Sequence, residues 1–174
     1  DRRQRQMCIR DSVMGAGGSG ILLHEAIGHA FEADFNRKNT SIFSDQLNKK
    51  VCNEHINVVD DGTIPFNRGS VNIDDEGVDG QKTYIVREGV LTSYLHDRIS
   101  AKHYGIPSTG NGRRESFRQM PIPRMRATYM EAGNVTEEEI ISTVKKGIYA
   151  ANFTNGQVQI GAGDFTSVSY THLR

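Results

Sequence analysis

The run Ile21-Leu22-Leu23-His24-Glu25-Ala26-Ile27-Gly28-His29-Ala30-Phe31-Glu32-Ala33-Asp34 constrains this chain more than any other. Apolar Ile21, Leu22, Ala26, Ile27, Ala30 and Phe31 recur at helical spacing and supply a flank to bury, so the segment reads as a helix. On it sit two histidines and a carboxylate. Their spacing does not suit a regular helix. His24 and His29 stand at i and i+5, which leaves their side chains ~140° apart around a helix that turns ~100° per residue. They can face one ion only if the helix is locally widened into a π-type turn, a distortion frequent at functional sites. Gly28, just before His29, makes such a distortion less costly. The plainer alternative is an ordinary helix with one core histidine and one surface histidine.

A His-Glu pair followed by a second His is a common way to build half a zinc site. Two neutral imidazoles bind the ion and the intervening carboxylate activates water. Further motifs accompany it: Val59-Asp60-Asp61-Gly62-Thr63, Ile73-Asp74-Asp75-Glu76-Gly77, Thr109-Gly110-Asn111-Gly112-Arg113-Arg114-Glu115-Ser116, Pro121-Ile122-Pro123-Arg124-Met125, Gly147-Ile148-Tyr149-Ala150-Ala151-Asn152-Phe153 and Gly156-Gln157-Val158. In order and spacing these resemble the TldD/PmbA family of metallopeptidases, specifically the subunit type that carries the metal motif. The resemblance runs from about Ala16 to Phe165.

That resemblance implies Zn2+ held by His24 and His29, with Glu25 as the catalytic general base. It also implies a third ligand, a cysteine nearer the C-terminus than Phe165, which this chain does not contain. The family's part ahead of the motif is missing too, so the chain is expected to be a fragment, inactive alone. Further implications are peptide or unfolded-protein substrates and a partner, either a related TldE/PmbA-like subunit or a second copy in a homodimer. Two rival readings stay open: a non-catalytic peptide-binding or assembly subunit with a vestigial metal site, and another zinc amide hydrolase.

Composition limits the alternatives. The chain's 174 residues suffice for one core-bearing domain. Residues 1–12 and 169–174 resemble translated sequencing-adapter tails and are set apart from the domain at 13–168. These tails carry five basic and two acidic residues, so that of 21 each, 16 basic and 19 acidic remain. This mildly acidic remainder gives no electrostatic case for nucleic acid. Without the tails Cys52 is the single cysteine, no apolar run reaches the ~18 residues of a membrane span, and no signal peptide is visible. The expectation is a cytoplasmic protein with neither a nucleic-acid nor a membrane partner.

The remaining chain reads as α+β: the metal-motif helix, then a largely antiparallel β region with two further helices, an incomplete domain. Ser19 or Gly20 is the expected helix cap, and the helix should fade near Asn36. Strands are expected at 56–59, 70–73, 82–87, 90–95 and 125–130, with a closing hairpin beginning at 158–160 and 164–166. Helices are expected at 97–104 and from Thr136, where a capping box opens a helix with Ile140, Ile141 and Val144 as its buried stripe. Asp74-Asp75-Glu76 reads as turn chemistry rather than a calcium loop. Cys52 reads as a partly buried residue before a strand rather than a zinc ligand. His96 and His103 read as ordinary, partly exposed histidines. Glu32 and Asp34 either orient an imidazole from behind or face solvent. Arg113-Arg114 either present cations to a peptide carboxylate or developing oxyanion, or serve in structural ion pairs.

Overall fold

The computed structural model describes residues 11–151 and 155–168. Residues 1–10 and 169–174 of the expected tails lie outside that range, as do Asn152 and Phe153 of the Gly147 motif. The architecture is α+β, with mostly antiparallel sheets and short helices.

Its centre is β2 (Val58–Asp61), all four residues of which are buried. On one side β2 pairs antiparallel with β3 (Lys82–Arg87), which turns through Glu88-Gly89 into the short β4 (Val90–Leu91). Both turn residues have positive φ, the geometry that matches a two-residue hairpin to strand twist. Gly89 is obligatory because a Cβ there would lie 2.6 Å from the Cys52 carbonyl oxygen. On the other side β2 pairs with β7 (Thr128–Met130), giving a four-stranded sheet in the order β4-β3-β2-β7 with β7 at its edge. The 90–95 strand is shorter than expected, since only Val90 and Leu91 pair before Tyr94, Leu95 and His96 turn into the core.

The metal-motif segment lies against this sheet. Phe31, Ala33, Val58, Ile85, Val86, Leu91, Tyr94, Leu95 and Met125 form one buried cluster joining the two. At ~25 cal/mol per Å² of apolar surface removed from water, a cluster of this kind is the main force holding the segment in place. The single helix expected for it is in fact four pieces. α1 (Ser19–Leu22) leads into a π-helical turn at Leu23–Gly28, then a 3-10 turn at His29–Phe31, an extended Glu32, and α2 (Ala33–Arg37). Extended Glu32 bridges to Leu95, with the Ala33 N–H donating to the Leu95 carbonyl and the Leu95 N–H to that of Phe31. Tertiary hydrogen bonds thus replace helical ones. The N-cap is Gly18, with no side-chain bond, rather than Ser19 or Gly20.

α3 (Arg98–Tyr104) is capped by the Asp97 carboxylate and closed by left-handed Gly105. α4 (Glu137–Thr143) has the expected capping box between Thr136 and Glu139, but its expected apolar stripe is not buried. Ile140 and Ile141 remain 44% and 43% exposed, because nothing among the described residues covers that face. β1 (Asp11–Met14) pairs parallel with β8 (Gly147–Ala150), and β9 (Asn155–Gln159) pairs antiparallel with β10 (Asp164–Val168). A further small pair joins β5 (Gly112–Arg113) to β6 (Ile122–Pro123). Residues 70–73 form no strand; only Ile73 makes an isolated bridge, to Asp79. Among the described residues no helix is long and apolar enough to cross a membrane.

Candidate metal centre

The π turn solves the spacing problem posed by His24 and His29. In a π-helix the N–H of residue i+5 donates to the carbonyl of residue i, and the His29 N–H does donate to the His24 carbonyl. This stacks the two side chains on one face, with ring centroids 4.8 Å apart and planes at 82°. Ligand-type atoms of His24, Glu25 and His29 all lie within 4.8 Å of one another. Gly28, whose backbone is ordinary right-handed helix, lets Met125 pack closely against the turn. A Cβ there would fall 2.2 Å from the Met125 sulfur and 3.3 Å from the Leu23 carbonyl oxygen, so that the buried Met125 side chain would have to shift.

The imidazoles differ in their support. His29 Nδ1 lies 3.1 Å from Glu32 Oε1, and the Glu32 side chain is fully buried. The Arg124 guanidinium in turn donates to Glu32 Oε2 at 2.6 Å. A buried carboxylate requires such a partner. The Glu32 hydrogen bond, acting against burial, raises the His29 pKa above its ordinary value. Burial, followed by the neighbouring His29, lowers that of His24. With Nδ1 engaged, His29 has Nε2 free for a metal, the arrangement metal-bound histidines commonly adopt. Asp34, by contrast, is buried without joining the histidines; its carboxylate lies 4.0 Å from Lys38 Nζ.

The loops beneath the site are tied by carboxylates. Asp60 Oδ1 accepts from the Arg126 backbone N–H at 2.9 Å and the Thr128 hydroxyl at 2.7 Å, and Oδ2 accepts from Asn111 Nδ2 at 2.6 Å. Burial raises the Asp60 pKa while those three bonds oppose it. Asn111 Nδ2 also donates to the Arg124 carbonyl, so the Asp60-Asn111 pair fixes the segment from which Arg124 reaches Glu32. These bonds also explain why only residues 128–130 of the expected 125–130 strand pair with β2. Asp74 Oδ1 accepts from the N–H groups of Glu76 and Val78, as turn chemistry requires, and its Oδ2 holds the Gly112 N–H.

Other candidates lie elsewhere. Cys52 is a free, half-buried thiol beside the Gly89 turn, outside the His24-Glu25-His29 group, and burial raises its pKa. His96 is fully buried between Tyr94 and Tyr104, not partly exposed as expected, while His103 is exposed. Arg113 and Arg114 form no side-chain ion pair among the described residues. Sequence reasoning missed Arg124, Asp60 and Asn111 as supports of the site. The only available signal was their place in the downstream motifs.

Comparison with known proteins bears on the family and the fold. The sequence pattern of the PmbA/TldA metallopeptidase C-terminal domain matches residues 11–172. A metalloprotease TldD homolog of Buchnera aphidicola is 52% identical over 161 residues, 91% of this chain and 33% of the relative. A zinc metalloprotease TldD homolog of Saccharolobus solfataricus is 37% identical over 139 residues, 79% of this chain and 31% of the relative. In fold, the crystal structure of TldE from Thermococcus kodakarensis superposes with a TM-score of 0.72 at 21% identity, covering 91% of this chain and 41% of that one. The chain thus spans about a third of the length of the curated relatives it matches. With an α+β fold shared with TldE and residues 11–172 matching throughout, this chain belongs to the PmbA/TldD metallopeptidase family, of whose C-terminal domain it forms part.

Proposed function

We propose that the protein carrying this chain is a zinc-dependent peptidase acting on peptides or unfolded protein segments, with His24 and His29 as zinc ligands and Glu25 as general base. One observation carries the reading: a π turn brings two imidazoles and a carboxylate within 4.8 Å, with one imidazole anchored by a buried carboxylate. The donor set fits the ion. Imidazoles are donors that zinc commonly takes, and His24 and His29 would hold it. A third ligand, a cysteine beyond Phe165, is what the family resemblance implies.

Bound zinc would supply Lewis-acid polarisation of the peptide carbonyl and lower the pKa of a water. The chain's own residues do the rest. The Glu25 carboxylate makes no hydrogen bond or ion pair among the described residues, so it is free to take the attacking water's proton and pass it to the leaving amine nitrogen. Glu32 keeps His29 in one tautomer and orientation. Between the motif segment and edge strand β7 runs a largely apolar trough of ≈ 710 Å³, lined by Met14, Leu22, Leu23, Ile27, Tyr129 and Met130 among others. A strand edge that pairs with nothing further among the described residues, beside such a trough, suits an extended peptide held by strand addition. A related subunit lacking the metal motif, or a second copy, would complete the assembly, in keeping with the exposed apolar face of α4.

The test is cleavage of an unstructured peptide by the full-length protein, read by mass spectrometry, beside Glu25→Gln. The variant should retain zinc and lose at least ~100-fold in kcat. Full activity in Glu25→Gln would remove Glu25 from the reaction. Zinc binding and peptide binding without any cleavage by the unaltered protein would favour a binding subunit.

A further inference from the structure

Beside the metal centre lies a cavity of ≈ 280 Å³ lined by Arg113, Arg114, Glu115, Ile122 and Arg124. Three arginines and one glutamate line it, and with Arg124 bonded to Glu32 the balance is still one positive charge. Its place relative to the chemistry is fixed by two hydrogen bonds, Arg124 to Glu32 and Glu32 to His29.

The arginines stand there at some electrostatic cost, and the structure shows how they are kept in place. The loop is held by its backbone rather than its side chains. The Gly112 N–H donates to Asp74 at 2.9 Å, the Arg114 N–H to Asp75 at 2.8 Å, and the Gly112 carbonyl accepts from Arg126 at 3.0 Å. A Cβ at Gly112 would fall 2.6 Å from Glu76 Oε2, so that the Glu76 side chain would have to move. Asp74 and Asp75 bond main-chain N–H groups here, and among the described residues neither lies within ion-pair distance of Arg113, Arg114 or Arg124. Arg124 commits Nη1 alone, to Glu32 and to the Pro123 carbonyl, while Nε and Nη2 find no partner among the described residues. Ile122 supplies an apolar wall.

The geometry points to a subsite for a substrate carboxylate, either a peptide's C-terminal α-carboxylate or an acidic side chain close to the scissile bond. A guanidinium fork matches a carboxylate with two parallel hydrogen bonds, and like charges gathered around a small cavity are relieved by an anion. The inference rests on the peptidase reading for its substrate, and it gives Arg113 and Arg114 a binding role in place of structural ion pairing.

Equilibrium binding separates the possibilities without turnover. Fluorescent unstructured peptides are titrated by anisotropy into full-length Glu25→Gln protein. One pair differs only in a C-terminal carboxylate against an amide; a second pair, both amidated, differs only in internal Asp and Glu against Asn and Gln. At least one acidic member should bind about tenfold more tightly than its neutral counterpart, as a charge-assisted contact warrants. The pair that shows the difference identifies the source of the carboxylate. The preference should vanish in Arg113→Gln/Arg114→Gln, whose backbone anchors are intact, and survive in part in Arg113→Lys/Arg114→Lys. Equal binding within both pairs, or a preference unchanged in the Gln variant, overturns the subsite. Cleavage by the unaltered protein is scored on the same peptides. Arginine-dependent preference without cleavage would sink the peptidase reading and leave the subsite standing; cleavage without preference would do the reverse.

Discussion

His29 shows how one side chain's function depends on residues far away in sequence. Its ring is oriented by Glu32, three residues on, and Glu32 is held in place by Arg124, ninety-two residues on. Replacing the carboxylate by an amide keeps the shape and removes the charge, so Glu32→Gln should weaken zinc binding about tenfold. Competition with a chelator measures this directly in the full-length protein, independently of activity; unchanged affinity would mean that Glu32 does not position His29. A second residue-scale prediction concerns His96. Burial pushes its pKa down to about 4, against the ordinary 6.5, and neither ring nitrogen has a hydrogen-bond partner among the described residues. The folded protein therefore holds it neutral where an unfolded chain would protonate it. Stability should fall as pH drops from 6.5 towards about 4, the loss from this group reaching about 3 kcal/mol below that. Urea unfolding across that range should show the slope, and His96→Phe should remove this residue's share of it. An identical slope in the variant would contradict the assignment.

At the scale of elements, the π turn is the feature on which the site depends, and Gly28 is its weakest point. Gly28→Ala forces a methyl into the space of the Met125 sulfur, so the variant should lose about 1–3 kcal/mol and a large part of its zinc. Met125→Ala in the same chain frees that space, and the two substitutions should be clearly non-additive in urea melts. Simple additivity would place the strain elsewhere. The π turn was legible in the sequence because i, i+5 histidines admit no other way to share an ion on one helix. The break that follows was not. Nothing local in Glu32 opposes a helix; its extended backbone is imposed by the bridge to Leu95, sixty-three residues away. Local signals also located the Thr136 capping box, the Asp97–Tyr104 region and the Glu88-Gly89 hairpin. They failed where a side chain takes over the main chain's hydrogen bonds, as Asp60 does at Arg126. The apolar stripe of α4 is real as a pattern, but Ile140 and Ile141 have nothing to pack against among the described residues.

For the whole molecule, the same interdependence means that the site is assembled by the domain rather than by the motif alone. The π turn carries the imidazoles and Glu25; the sheet packs against the motif segment, and the Asn111 and Arg124 loops hold Glu32 against His29. Family membership could be read from the order of the motifs. Arg124's support of Glu32 could not, because it is a contact across the fold. The central claim is that His24 and His29 bind zinc. Elemental analysis of the full-length protein, purified without added metal, tests it most directly. Close to one zinc per chain, lost in both His24→Ala and His29→Ala, is the predicted result. No zinc, or zinc retained when both histidines are replaced, would reduce the π turn to a structural distortion carrying two incidental histidines.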